Sequence, residues 1–128
     1  MDMNFLIEET PEGVAQGEVA EFLAGDRKEF SEKAKAEAAG QKGTEFQRAV
    51  WGEIARTSWG RVKTYQEVAM AIGRPFAMRA VGTACGRNKY PIVVPCHRIV
   101  ASSGIGGYGY GGTEIKRELL RREGVVGL

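Results

Sequence analysis

Cysteine and histidine are scarce in this chain, whose 128 residues include two cysteines and one histidine. A structural zinc site takes about four Cys or His ligands, which is more than these residue types supply together. Two cysteines also do not make a disulfide framework. We therefore expect no metal site, and we predict no cofactor of any other kind.

Long apolar runs are also missing. No run approaches the roughly 18 residues typical of a membrane span, and the N-terminus shows no signal-peptide pattern. The apolar share of 43% and the charged share of 27% are ordinary for one globular domain. These features predict a cytoplasmic protein, or a nuclear one if the source is eukaryotic, with no membrane partner.

Charge is divided unevenly along the chain. Residues 1–40 hold ten acidic and four basic residues, a net charge of −6, whereas residues 41–128 hold six acidic and fourteen basic residues, a net charge of +8. The basic part suits a polyanionic partner. A solvated surface without a partner is the alternative that charge alone leaves open.

The first 40 residues carry few structural signals. Val19, Phe22 and Leu23 stand at helical spacing and predict one helix near residues 18–24. We interpret residues 1–17 as a frayed terminus or one short strand, and residues 31–43 as a linker or an exposed helix. The predicted division is a short N-terminal segment with a linker over 1–40, followed by the main domain over 41–128.

Two capping boxes mark helices in the main domain, Thr44 with Gln47 and Thr64 with Glu67. A turn containing glycine joins the second helix to another within "AMRAVGTACG", which is the helix-turn-helix pattern. Residues 61–90 hold six basic residues against one acid, as a nucleic-acid reader requires, although many helical hairpins bind nothing. With strands near "PIVVP" and "RIVAS" and a last helix from Thr113, the predicted fold is mainly α with a short β-hairpin, winged-helix-like.

A glycine-rich stretch, "GIGGYGYGG", contains a formal G-x-G-x-x-G match at Gly104, Gly106 and Gly109. A dinucleotide-binding unit needs a further parallel strand beyond its helix, and the residues up to Leu128 leave no room for one. We expect these glycines instead to let the backbone approach a ligand closely or to adopt positive φ angles.

Cys96 directly precedes His97, the single histidine, in "VPCHRIV". Neighbouring side chains of a regular strand point to opposite faces, so either the backbone turns sharply at Cys96 or His97 acts through a water. A reactive thiol needs a base or positive surroundings, and a histidine base needs an orienting partner. Glu118 and Glu123 are both candidates for that partner. Cys85 lacks such neighbours and is predicted to lie in the core.

These residues carry a resemblance to a known family. "GTEFQRAVW", "VKTYQEVAMAIG", "RAVGTACGRN", "VPCHRIV" and "GGTEIKRELLRREG" closely resemble, in order, the O6-alkylguanine-DNA alkyltransferases, also called methylated-DNA–protein-cysteine methyltransferases. The similarity covers about residues 18–125. It implies a DNA repair protein in which Cys96 attacks the alkyl carbon on O6 of a flipped-out guanine and keeps the group permanently.

The resemblance also implies roles for individual residues. His97 acts through a water and is held by Glu123, and Asn88 braces the active-site turn. Tyr65 helps to flip the nucleotide and assists at the departing guanine, and Lys116 is a catalytic-site lysine near the active-site loop. Arg79 is the finger that fills the gap left by the flipped nucleotide. The implied DNA contacts are Arg79, Tyr65, Gln66, Ala77, Gly82 and Ser102. The implied substrate pocket is formed by Ile99, Arg98, Tyr108, Gly109 and Tyr110.

The resemblance implies double-stranded DNA containing O6-alkylguanine as the partner of a monomeric protein. The chain departs from the family pattern in three places. Most of the usual N-terminal domain is missing, Lys89 replaces a common proline, and Gly109 replaces a tyrosine of the pocket. Two alternatives stay open: a module that binds alkylated DNA without transfer, and a Cys-His hydrolase, for which no oxyanion-hole motif is visible.

Overall fold

Seven helices and one very short sheet make up the computed structural model, which describes residues 1–128. The helices are α1 (Phe5–Glu9), α2 (Val14–Leu23), α3 (Glu32–Ala39), α4 (Glu45–Ile54), α5 (Tyr65–Ala71), α6 (Met78–Arg87) and α7 (Gly112–Arg122). The strands are β1 (Lys63–Thr64) and β2 (Ile99–Val100), and a 3₁₀ turn (Cys96–Arg98) leads into β2. The mainly helical fold class predicted from the sequence is confirmed. No helix has the length and apolarity needed to cross a membrane.

Side-chain caps explain where three of the helices begin. Both predicted capping boxes form, at Thr44 before α4 and at Thr64 before α5. A third cap, which the sequence pattern did not single out, is Ser31, whose hydroxyl accepts the N–H of Ala34 at the start of α3. Each cap satisfies backbone donors that the first helical turn leaves free.

The N-terminal segment is more helical than predicted. Residues 5–9 form α1 in place of a frayed end or a strand, and α3 turns its buried residues Ala34 and Ala38 toward the core. The carboxylate of Glu37 on α3 accepts the N–H groups of Val14 and Ala15 at the start of α2, at 3.0 and 2.9 Å. One cluster of buried apolar residues includes members from both sides of residue 40. The division of the chain at that residue stays a prediction.

The sheet differs from the short β-hairpin predicted after the Cys-His pair. β1 and β2 pair in parallel, with Lys63 opposite Ile99 and Thr64 opposite Val100. The only antiparallel pairing nearby is a single bridge between Ala101 and Gly104. The glycine-rich loop does not continue as a second strand. Instead, the carbonyl of Gly107 in this loop accepts a hydrogen bond from the ammonium of Lys116 on α7, at 2.9 Å.

The helix-turn-helix consists of α5 and α6, which pack against each other. Gly73 adopts a left-handed φ of 75°, and the N–H groups of Gly73 and Arg74 bond back to Met70 and Ala69. This is the Schellman ending of a helix. On the opposite side of α6, the indole N–H of Trp51 on α4 donates to the carbonyl of Ala84 at 2.8 Å. That bond fixes α6 to the core.

We predict opposite effects for two glycine-to-alanine substitutions around α4. A Cβ at Gly43 would lie 2.6 Å from the ring of Trp51, which cannot retreat without breaking its bond to Ala84, whereas a Cβ at Gly52 meets nothing within 4 Å. Gly43→Ala should lower the free energy of unfolding by about 1–3 kcal/mol. Gly52→Ala, inside the helix, should raise it by roughly 0.5–1 kcal/mol. Urea unfolding of both variants measures this, and equal shifts would contradict the packing described.

Candidate active site

A cavity of about 320 Å³ lies between α5, α6 and the glycine-rich loop. Two thiols, Cys85 and Cys96, lie in its wall, and glycines from α6 and from the loop keep it open. Three tyrosines complete the lining: Tyr65, Tyr108 and Tyr110. A second cavity of about 210 Å³, between α3 and α4, has an almost wholly apolar lining without a nucleophile. The thiol-containing cavity is therefore the candidate active site.

The backbone turns sharply at Cys96, which resolves how neighbouring Cys and His residues can serve one site. Pro95 has φ −80° and ψ 64°, and the N–H of Cys96 bonds to the carbonyl of Val94 at 2.8 Å, as in an inverse γ-turn. Cys96 then opens the 3₁₀ turn. Cys96 therefore does not continue a strand, and its side chain enters the cavity while that of His97 enters the core.

Just before this turn, Ile92 holds a left-handed φ of 74°, the one positive φ outside glycine. The N–H of Val93 bonds to the carbonyl of Pro91 at 2.8 Å across it. Such a γ-turn is rare, and strain of this kind costs about 1–3 kcal/mol. Ile92 is almost fully buried, so packing of its side chain offsets the strain and holds the turn in place.

Asn88 braces the active-site turn, in the position that the resemblance implied. Its amide N–H₂ donates to the carbonyls of Tyr90 and Val94 at 3.3 and 3.1 Å and lies 3.5 Å from the sulfur of Cys96. Its amide oxygen accepts the side chain of Gln41 at 2.9 Å. Gln41 also accepts the N–H of Lys89. Sequence reasoning missed Gln41, since no local pattern connects residues 47 positions apart.

Cys85 belongs to the cavity and not only to the core, so the prediction from its sequence neighbours was wrong in this respect. It is half-buried and lies beside Cys96. The neighbouring Cys85 thiol and burial raise the pKa of Cys96, whereas the Cys96 thiol lowers the pKa of Cys85. Cys96 is therefore held as a thiol and needs a base to become nucleophilic. The available signal for Cys85 was its position three residues before Asn88.

His97 is completely buried, and its Nε2 lies 2.7 Å from a carboxylate oxygen of Glu123. Glu118, the other candidate, lies on the surface and pairs with Arg121 and Arg122. A carboxylate can only accept, so Nε2 carries the proton and Nδ1 keeps a lone pair. Nδ1 has no protein partner. Burial lowers the pKa of His97 in spite of the nearby carboxylate, so the ring is a neutral base.

Glu123 is held by several donors at once. Its carboxylate accepts Nε and Nη2 of Arg98 at 2.8 and 3.1 Å and the N–H of Gly60 at 3.0 Å. Burial alone would raise the pKa of Glu123, but the hydrogen bonds from His97, from Arg98 and from the N–H of Gly60 outweigh it and hold the pKa at about 2. Glu123 is thus an anion at neutral pH, and Arg98 supplies its counter-charge.

Arg98 does not reach the cavity, although it was placed in the substrate pocket. Its guanidinium faces Glu123 and donates to the carbonyl of Thr57 at 2.7 Å, on the far side of the turn. Ile99 is also turned away, with its side chain fully buried. Only its carbonyl serves the site, accepting Nζ of Lys116 at 2.5 Å. Successive side chains of a 3₁₀ turn lie about 120° apart, so Arg98 does not share the side of the turn that Cys96 takes.

Lys116 lies under the cavity and binds two carbonyls, those of Ile99 and Gly107. Its ammonium is 5.7 Å from the ring centre of Tyr65. Burial lowers the pKa of Lys116 to about 8 and raises the pKa of Tyr65 to about 12. Near neutral pH the lysine therefore still brings a positive charge close to the thiols, and the phenol of Tyr65 keeps its proton.

The two loop tyrosines have different surroundings. The hydroxyl of Tyr110 donates to the carbonyl of Asn88, which ties the loop to the end of α6. The hydroxyl of Tyr108 is buried and has no protein partner. A buried hydroxyl without a partner costs free energy, so Tyr108 is the side chain of this loop best suited to bond a ligand. Gly109, between them, leaves space beside Gly86.

Of the residues predicted to contact DNA, Tyr65 and Gly82 line the cavity, and the others lie outside it. Arg79 and Gln66 are exposed on α6 and α5, and Ser102 is exposed at the tight turn after β2. Ala77 and Gly82 are half-buried along α6. No group of three or more His, Cys, Asp or Glu side chains is placed to hold a metal ion.

Comparisons with known proteins fit this geometry. The family model described as "6-O-methylguanine DNA methyltransferase, DNA binding domain" matches residues 45–125. The constitutive methylated-DNA–protein-cysteine methyltransferase of Bacillus subtilis is 44% identical over 117 residues, which cover 90% of this chain and 68% of the relative. A probable methylated-DNA–protein-cysteine methyltransferase of Acanthamoeba polyphaga mimivirus is 54% identical over 70 residues, 55% of this chain and 47% of that protein.

Among solved structures, Mycobacterium tuberculosis OGT in complex with DNA superimposes with a TM-score of 0.75 at 40% identity, over 85% of this chain and 65% of that one. The chain thus spans about half to two thirds of the length of these relatives. The match includes α4 to α7 and every residue of the cavity. The chain belongs to the O6-methylguanine-DNA methyltransferase family, the methylated-DNA–protein-cysteine methyltransferases.

Proposed function

We propose that this protein repairs DNA by transferring the alkyl group of O6-alkylguanine irreversibly to Cys96. The observation that carries the proposal is the position of the Cys96 thiol. It lies in the wall of an open cavity, with Asn88 against its sulfur and a buried base, His97, directly behind the turn. A thiol that is buried, braced and close to a base is arranged for one nucleophilic attack.

The reaction balances without a cofactor. The proton of the Cys96 thiol passes through a water to Nδ1 of His97, and the resulting thiolate attacks the alkyl carbon. The bond between that carbon and guanine O6 breaks, and its electron pair leaves with the guanine. The guanine takes up a proton and becomes unmodified guanine, while Cys96 becomes a thioether. No step of this reaction regenerates the Cys96 thiol, so each protein molecule acts once.

Four side chains favour the charge changes of this step: Glu123, Lys116, Tyr65 and Tyr108. Glu123 stabilises the imidazolium that forms at His97, in the way a carboxylate orients and supports a histidine base. The ammonium of Lys116 favours the thiolate through its positive charge. The hydroxyls of Tyr65 and Tyr108 keep their protons at neutral pH, so each is a donor for the departing guanine.

Access to Cys96 requires the target nucleotide to leave the duplex. The thiol lies in a cavity that a stacked base cannot enter, so the nucleotide must be flipped out. α6 forms one wall of the cavity and presents the exposed Arg79 at its other end. We propose that α6 lies against duplex DNA, that Arg79 fills the gap left by the flipped nucleotide, and that backbone contacts supply affinity that falls with salt. The solved complex of Mycobacterium tuberculosis OGT with DNA supports DNA as the partner.

The direct test is the product. Mixing the protein with an oligonucleotide duplex that carries O6-methylguanine should add one methyl group to one molecule of protein, located on Cys96 by peptide mass spectrometry. The Cys96→Ser variant should bind the same duplex and gain no methyl group. Tight binding by the wild type with no adduct would mean that the protein recognises alkylated DNA without repairing it.

A second prediction concerns Arg79. Arg79→Ala should slow repair in duplex DNA by about tenfold, the effect of losing a contact of about 1.4 kcal/mol. It should leave the reaction with a free base, O6-benzylguanine, unchanged, because Arg79 lies outside the cavity. Gln66→Ala, also exposed, is the comparison for general loss of DNA contacts. Equal losses on both substrates for Arg79→Ala would exclude the finger role.

A third prediction follows from the low pKa of Glu123. Its folded pKa of about 2 lies below the ordinary value of 4.5. The carboxylate therefore stabilises the fold above pH 4.5, and this contribution is lost as the pH falls toward 2. At pH 7, Glu123→Gln should lower the free energy of unfolding by about 3 kcal/mol or more, because Arg98 loses its buried counter-charge.

That difference between wild type and Glu123→Gln should shrink steadily in urea unfolding between pH 4.5 and 2. The matched comparison is Glu118→Gln, which removes a surface carboxylate that pairs with Arg121 and Arg122 and whose pKa is also about 2. It should change stability little at any pH. A constant difference for Glu123→Gln across this range would contradict the assignment of Glu123 as the buried anion.

A further inference from the structure

A fully exposed phenylalanine stands at the tip of the helix-turn-helix. Phe76 is 98% exposed, the highest value for any large apolar side chain here, and Met78 beside it is 44% exposed. The structure gives Phe76 no aromatic partner and no place in the core. Large apolar side chains that are exposed next to one another indicate a surface that contacts a partner.

The backbone under Phe76 is rigid. On one side α5 ends in its Schellman motif at Gly73 and Arg74. On the other side the N–H of Ala77 bonds to the carbonyl of Arg74 at 3.0 Å, which closes a turn with Pro75 at its second position, where proline presets the backbone. The carbonyl of Ala77 then accepts the N–H of Val81 at 2.9 Å, at the start of α6. The backbone that carries Phe76 is therefore held in one conformation, so little backbone entropy is lost when the ring is buried against a partner.

Phe76 continues a line of exposed or open positions along α6. Within α6, Arg79, Gly82 and Gly86 stand three or four residues apart and share one helix face. Phe76 lies three residues before Arg79, in the turn that leads into this face. A Cβ at Gly82 or at Gly86 would meet nothing within 4 Å. Both glycines reach the wall of the cavity that holds Cys96. This surface therefore leads from Phe76, past the guanidinium of Arg79, to the cavity that contains Cys96.

This face fits duplex DNA and not a protein core. Exposed arginines, Arg74 and Arg79, stand on both sides of Phe76 in sequence, and no acid lies between Glu67 and Glu114. Phe76 lies three residues before Arg79, in the turn that precedes α6. Because three residues of chain span at most about 11 Å and base steps rise by roughly 3.4 Å, the ring of Phe76 would meet a base step close to the one that Arg79 contacts.

We infer that Phe76 is an apolar wedge that packs into the minor groove one base step beyond Arg79, on the side away from the flipped nucleotide. The inference rests on the proposed alkyl transfer only for the position of the DNA. Apolar side chains in the minor groove partly unstack a base step and bend the duplex, which lowers the cost of extruding a neighbouring nucleotide. Phe76 is in this sense a positioning residue and takes no part in the chemistry.

The test compares Phe76→Ala with Phe76→Leu and with Val126→Ala. Val126 is another exposed apolar residue, 77% exposed, and lies after α7. Removing the ring should weaken binding to a duplex with O6-methylguanine by about tenfold. The slope of log K against log salt should stay the same, because no charge is removed. Phe76→Leu should keep part of the affinity, and Val126→Ala all of it.

Insertion of the Phe76 ring can be measured by the fluorescence of 2-aminopurine placed one base step from the O6-methylguanine. Its fluorescence should rise on binding of wild type, because the step unstacks, and should stay low with Phe76→Ala. Full exposure of the ring means that the variant keeps its fold, which its melting temperature checks. Wild-type affinity for Phe76→Ala, or a loss equal to that of Val126→Ala, would overturn the inference. So would a change in oligomeric state without a change in DNA binding, which would mark Phe76 as a contact between protein copies.

The test of the Phe76 wedge can fail or succeed independently of the test of alkyl transfer. Phe76→Ala should react with free O6-benzylguanine at the wild-type rate. If the wild type itself forms no adduct with the O6-methylguanine duplex, alkyl transfer is wrong while the wedge is still measured by binding and fluorescence. If adduct forms but the two duplex measurements do not change, transfer stands and the wedge is wrong.

Discussion

The site depends on one buried carboxylate. Glu123, at the end of α7, takes hydrogen bonds from His97, Arg98 and the backbone of Gly60. A charge removed from water is tolerated only when its partners are in place, so these contacts form together or not at all. Through them the last helix, the loop before β1 and the active-site turn hold one another, and the tautomer of His97 follows from the same carboxylate.

A second constraint is the protonation of the nucleophile. The neighbouring Cys85 and burial raise the pKa of Cys96, so that the group is a thiol at rest. The same burial lowers the pKa of His97, so the base is neutral and can accept that proton. Lys116 and the amide of Asn88 favour the thiolate once it forms. The reactive form is thus made when a substrate is present and is not stored.

Local signals in the sequence predicted the helices of the main domain well, because a capping box at Thr44 or Thr64 acts within four residues. They did not predict α1 or the parallel pairing of Lys63 with Ile99, which depend on residues far apart. The chemistry of Cys96 was visible in its neighbours, whereas the choice of Glu123 over Glu118 needed the family resemblance or the fold. Arg98 was misplaced because adjacency in sequence does not tell which side of a turn a side chain takes.

The parallel pairing of β1 with β2 is small, but it joins two functional parts of the chain. Thr64 in β1 caps α5 and precedes Tyr65, while β2 begins directly after the turn that carries Cys96 and His97. Segments that share backbone hydrogen bonds tend to open as one cooperative unit. A fluctuation that frees the start of the helix-turn-helix would therefore loosen the nucleophile's turn at the same time, so a loosened DNA-facing surface and an intact reactive centre should rarely coexist.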